Sequence, residues 1–133
     1  MDFHSGLEYV KLYKDLKTAL PQLKKNQDKP EDPETQSRAI QFLWALKVLY
    51  GKIKVNKEIQ IPHLEFLEKL DQMPNDKAEF ENAVKQNMLE VRNNTLCIKN
   101  PTGESEPIGD FGSKTLNEIE NWALAAIGTF GKK

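Results

Sequence analysis

The stretch Ala39 to Tyr50 reads AIQFLWALKVLY, with polar side chains only at Gln41 and Lys47. A helix of that pattern is apolar almost all round and belongs inside a protein rather than on its surface. It is too short to span a bilayer, which takes roughly 20 apolar residues. The sequence therefore predicts the central helix of a soluble core, with the other elements arranged about it.

A chain of 133 residues fits one domain, 1–133, and can bury on the order of two-thirds of its unfolded surface. Its 38% hydrophobic and 29% charged residues exclude a wholly disordered, collagen-like or membrane-spanning chain. The formal net charge is −1, from 19 basic and 20 acidic residues. That balance sets up no overall field to draw in nucleic acid or an anionic membrane, so any such binding must come from a local patch. The single cysteine, Cys97, has no partner for an internal disulfide. The start Met1-Asp-Phe-His lacks the basic segment and apolar run of a secretory leader. Together these predict a reducing, cytoplasmic setting. The glycosylation match at Asn93-Asn94-Thr95 is then accidental, and Asn100-Pro101-Thr102 is excluded by its proline.

Along the chain, Tyr9, Tyr13, Leu16, Leu20 and Leu23 recur at threes and fours, with Leu12 beside them, and predict a helix from Ser5 to about Leu20. Ser5 and Glu8 have capping-box spacing, and Pro21 should end or kink the helix. The polar, proline-bearing run 24–33 reads as a loop. Asp32 as cap and Pro33 as first helical residue then start the central helix, and Gly51 should stop it. Residues 52–61 (KIKVNKEIQI) read either as a hairpin turning at Asn56-Lys57 or as an extended connector whose isoleucines plug the core.

Pro62 opens a third helix to about Gln72, with Leu64, Leu67 and Leu70 on its buried face and Phe66 at the flank; Met73-Pro74 ends it. Asp76 and Glu79 repeat the cap spacing before a stripe of Phe80, Ala83, Val84, Asn87, Met88 and Val91. That stripe predicts a helix to about Arg92, with Leu96–Ile98 short and extended. The alternative is a hairpin through 89–98 with an Asn93-Asn94 turn. Residues 100–112 (NPTGESEPIGDFG) read as a surface loop, acidic and rich in Gly and Pro, long enough to be functional or mobile. A last helix follows from about Lys114 to Ile127, with Leu116, Ile119, Ala123 and Ile127 inward and Gly128 closing it.

No catalytic signature emerges. His4 and His63, the two histidines, have no metal-ligand neighbour at helical spacing, and a zinc site would use nearly the whole supply of His and Cys. No metal and no cofactor are expected. Cys97 sits between Leu96 and Ile98, the setting of a buried, inert thiol. Asp110-Phe111-Gly112 has the letters of a kinase motif in a chain far too short for one, and Glu104, Glu106 and Asp110 would repel phosphates. Glu65, Glu68 and Asp71 share one helix face, which reads as the solvated side.

Two features point toward partners. Trp122 stands between Asn121 and Ala123, off the apolar stripe of the last helix, where a tryptophan can anchor a protein contact. With Glu104, Glu106 and Asp110 of the acidic loop it defines a candidate partner-binding surface. The second feature is a row of lysines: Lys11, Lys14 and Lys17 at threes, then Lys47, Lys52, Lys54 and Lys57 with no acid between them. Converging in space, they would follow a nucleic-acid phosphate backbone without reading its sequence.

The expected fold is all-α: a compact bundle of about five helices around 39–50, with room for one small β-hairpin. The expected function is a non-enzymatic protein–protein interaction or adaptor domain, or a small subunit of a larger assembly. The alternative is a sequence-independent nucleic-acid-backbone-binding helical subunit. No membrane role is expected.

Overall fold

The computed structural model describes residues 3–54, 65–99 and 104–131, with side chains over 11–51, 66–99, 104–118 and 120. Helices α1 (Phe3–Asn26) and α2 (Pro33–Lys54) are followed by α3 (Glu65–Asp71) and α4 (Lys77–Asn87). Strands β1 (Leu89–Arg92), β2 (Thr95–Lys99) and β3 (Ser105–Pro107) come next, and α5 (Ile108–Gly131) is the last helix. The strands form one antiparallel sheet in the order β1-β2-β3. The chain is mostly helical, and the all-α expectation is corrected over 89–107.

Helix starts follow local chemistry. The Asp32 side chain accepts the Glu34 N–H at 2.9 Å and its carbonyl accepts the Thr35 N–H at 3.0 Å. With Pro33 needing no partner for its nitrogen, the free donors of the first turn of α2 are met. Asp76 does the same for α4, accepting the Glu79 N–H at 3.1 Å.

Five expected breaks are overridden, among them Gly128, which lies inside α5 because that helix runs on to Gly131. Pro21 lies inside α1 on its exposed side, and the helix runs on to Asn26 so that Leu23 is buried. One lost ladder bond is outweighed by packing the next turn. Gly51 lies inside α2, so residues 52–54 are helical and no strand of a hairpin; 55–64, including the rest of that expectation, lie outside the described residues. Gly109 and Gly112 lie inside α5, which begins six residues earlier than expected, at Ile108. The long acidic loop is thereby reduced, since 105–107 are strand and 108–112 helix.

The predicted continuation of α4 to Arg92 is also corrected. The helix stops at Asn87, and Leu89 pairs with Ile98, Val91 with Leu96 and Arg92 with Thr95. Asn93 (φ 51°) and Asn94 (φ 59°) make the turn. Two positive φ values are what a type I′ turn demands, and asparagine tolerates them better than most residues. Asn94→Ala is expected to cost about 1 kcal/mol through the left-handed penalty, whereas Asn94→Gly should be neutral or stabilising. Paired thermal melts of the two variants check the sign.

The core surrounds α2, against which α1, α3, α4 and α5 all pack. Phe42, Leu43, Leu46 and Leu49 of α2 meet Leu16 and Leu23 of α1, Leu67 and Leu70 of α3, and Phe80 and Val84 of α4. The sheet adds Leu96 and Ile98 from its inner face, and α5 adds Ile108, Phe111 and Leu116. Each such side chain contributes about 1.5–3 kcal/mol on burial.

The connection between α1 and α2 is a joint rather than a plain polar loop. Gln27 accepts the Leu96 N–H of β2 on its carbonyl at 2.8 Å, and the Gly109 N–H of α5 on its side-chain Oε1 at 3.0 Å. Thr35, buried, donates to the Asn26 carbonyl at 3.2 Å, and Gln36 donates to the Pro30 carbonyl at 3.1 Å. Sheet, first helix and last helix are thus tied at one point.

Candidate partner-binding surface

Residues from three elements meet beside β3. Phe66 and Leu67 of α3, Glu106 of β3, and Phe111, Lys114, Thr115 and Glu118 of α5 line a cleft of about 140 Å³. Its floor is aromatic: the Phe66 and Phe111 rings stand 4.3 Å apart at 61°, an edge contact. Both rings are buried, Phe66 at 8% and Phe111 at 6% exposure. Phe111 is brought inward because α5 starts at Ile108, which puts Ile108, Phe111 and Thr115 at helical spacing.

The rim is charged. Glu106, half-buried, accepts from Lys114 Nζ at 3.3 Å. Glu104 and Asp110 are exposed on either side of it in the chain, and Glu118 is exposed one helical turn beyond Lys114. Of these, Glu106 and Glu118 line the cleft together with Lys114, two carboxylates to one ammonium. Asp110 also lies in the first turn of α5, where a carboxylate is favoured by the helix N-terminus. Trp122 belongs to α5, four positions after Glu118; its side chain lies outside the described residues.

Among the described residues, Lys47 does not share the surface of Lys11, Lys14 and Lys17. Lys11, Lys14 and Lys17 are exposed along α1. Lys47 is only 6% exposed and turns inward, its Nζ donating to the Asp71 carbonyl at 2.9 Å, at the last residue of α3. A cation there satisfies the negative end of α3 and is not offered to a phosphate. Lys52 and Lys54 are in the last turn of α2 with side chains outside the described residues, as is the whole of Lys57.

Two further features escaped the sequence reading. On the outer face of the sheet, the Glu90 carboxylate accepts from the Ser105 hydroxyl and pairs with Arg92 Nε at 2.9 Å and Lys99 Nζ at 3.9 Å. Cys97 lies beside Glu90 across the ladder, and burial pushes its thiol up from its ordinary range. A protonated thiol is a poor nucleophile. Between α1 and α2, Asp15, Ala19, Arg38, Gln41 and Ala45 border a groove of about 180 Å³ over Phe42. Arg38 there pairs along its own helix with Glu34 at 2.6 Å.

Among the described residues no three His, Cys, Asp or Glu side chains are placed to hold a metal ion, and no helix is long and apolar enough to cross a membrane. No family model, curated protein or solved structure matches this chain.

Proposed function

We propose that this chain is a non-enzymatic protein-interaction module, an adaptor or a small subunit of an assembly. It receives a partner segment that carries a basic residue next to an apolar one, in the cleft between α3, β3 and α5. The observation that carries this reading is the pairing of an aromatic floor, Phe66 and Phe111, with the acidic rim of Glu106 and Glu118. An apolar anchor would enter over the ring edges while its basic neighbour meets the carboxylates. Glu104 and Asp110 extend the same charge along the chain, and Trp122 continues the row Phe111, Thr115, Glu118 at helical spacing. Tryptophan is the residue type most enriched among the dominant contacts of protein interfaces.

Capture from native lysate, with and without nuclease and at low and high salt, tests the reading when run on variants. The expected result is a protein partner that survives nuclease. Its capture should fall by about tenfold or more, roughly 1.4 kcal/mol, on Glu106→Lys with Glu118→Lys, and fall again on Trp122→Ala. Lys11→Glu, Lys14→Glu and Lys17→Glu should leave it unchanged. Captured polynucleotide that leaves with salt and is lost on those lysine reversals would replace this reading with a backbone-binding one.

A further inference from the structure

The outer edge of β1 is built differently from the opposite edge of the sheet. β3 at the far side is three residues long and ends in Pro107, which has no N–H to offer a further strand. β2 is closed at Leu96, whose N–H goes to the Gln27 carbonyl. β1 carries no such protection. Among the described residues no strand pairs with its outer side, and Val91 there is 53% exposed, a large apolar side chain left in solvent.

The ladder shows which backbone groups face outward. Lys99 N–H donates to the Met88 carbonyl at 2.8 Å, and the register sets Glu90 opposite Cys97 and Arg92 opposite Thr95. Hydrogen-bonded and non-bonded pairs alternate along an antiparallel ladder. Met88, Glu90 and Arg92 therefore bond toward β2, and the N–H and C=O groups of Leu89 and Val91 point away from it.

The charges on this edge have opposite signs on the two sides of Val91, Glu90 before it and Arg92 after, and are self-complementary under an antiparallel twofold. We propose that β1 pairs with β1 of a second copy of this chain, antiparallel, about a twofold axis through Val91. In that register each Val91 exchanges both outward backbone groups with the Val91 of the second copy. Glu90 then lies opposite the second copy's Arg92 and Arg92 opposite its Glu90. Those are non-bonded pairs, the ones in which side chains come closest. Glu90 already meets Arg92 of its own strand at 2.9 Å, so the axis brings together two carboxylates and two guanidiniums in alternation. On the inner side each Val91 itself lines a shallow groove of about 140 Å³ with Gln36, Lys85, Leu89, Glu90 and Leu96. The three-stranded sheet becomes a continuous six-stranded one. The same contact made about an axis elsewhere would set Glu90 against Glu90 or slide Val91 off the groove, so the pattern specifies one register.

The contact is small. Each copy contributes one four-residue strand, so weak self-association is expected and is sought at about 0.1–1 mM protein. Sedimentation velocity over that range should show the 15.2 kDa species giving way to twice its mass. Dilution should shift amide resonances of residues 89–93 and leave the cleft residues Glu106 to Glu118 unmoved. Val91→Pro removes an outward N–H that no internal pair uses, so circular dichroism and the melting transition should be retained while self-association weakens by about tenfold or more. Arg92→Glu, which sets like charges across the axis, should also weaken self-association; it removes the Arg92–Glu90 pair within each copy as well, so its melting transition is read beside that of Val91→Pro. A chain that stays monomeric throughout that range overturns the proposal. So does a dimer that both variants leave intact, or one whose resonance changes lie away from β1.

Discussion

Phe80→Ala is expected to remove about 3–5 kcal/mol of folding free energy, out of the 5–15 kcal/mol or so that holds an ordinary domain. Phe80 is fully buried at the start of the apolar face of α4. Its ring meets Trp44 of α2 edge-on, with centroids 5.1 Å apart at 70°. Truncation removes the apolar area and that aromatic contact, and leaves a space that α2 cannot collapse into because Leu43 and Leu46 are themselves fully packed. Phe80→Leu keeps most of the volume and should cost well under half as much. Urea unfolding of both variants with an unchanged slope checks the size. A loss below about 1 kcal/mol, inside the range of an ordinary surface change, would mean that α4 does not pack on α2 in this way.

Gly109→Ala reverses the usual sign. In an open helix the change stabilises by about 1 kcal/mol, because alanine is the better helix former. Here an added Cβ would stand 2.5 Å from Lys24 Cγ, 2.7 Å from Gln27 Oε1 and 3.1 Å from Lys24 Cα. The backbone of α1 blocks the simplest escape, and shifting Gln27 breaks its bond from the Gly109 N–H. Overpacking of that kind costs about 1–3 kcal/mol, and a lost buried hydrogen bond adds about 1 kcal/mol. A net destabilisation of about 1–3 kcal/mol is therefore expected, read as a fall in melting temperature with helix content retained. Gly112→Ala should be milder. Its nearest obstacle is a methyl end, Leu20 Cδ1 at 2.7 Å, with Phe42 Cζ behind at 3.0 Å. A rise in stability for Gly109→Ala would rule out the close approach of α1 and α5.

What the sequence made legible was local. Asp32-Pro33 and Asp76 announced helix starts because a cap acts within three residues, and the apolar run 39–50 announced the core helix because its pattern admits no other place. What it hid depended on partners distant in the chain. Pro21, Gly51, Gly109 and Gly112 read as punctuation, and each sits inside a helix because packing outweighs its propensity. A helix that begins after Gly112 leaves the spacing of Ile108, Phe111 and Leu116 unused and puts Phe111 in a loop. Asn93 and Asn94 carried the hairpin signal, but the stripe from Phe80 to Val91 fits a helix equally well. Only the alternative partners on β2 decide between them. In the candidate site, the acidity of Glu106 was legible, whereas the aromatic floor beside it was not. Lys47 shows the opposite error, a lysine counted as surface charge whose amine serves a helix end inside.

The Gln27 joint also bears on the order in which the chain assembles. Its side chain holds an amide 82 residues further along the chain, and α1 lies against α5 rather than only against its neighbour α2. During synthesis Leu20 and Lys24 emerge long before Gly112 and Gly109, which they face, so that side of α1 waits for the late residues. Folding then closes a long loop before its main contacts are gained. A chain made mostly of helices is thereby slowed toward the rates of proteins with many distant contacts.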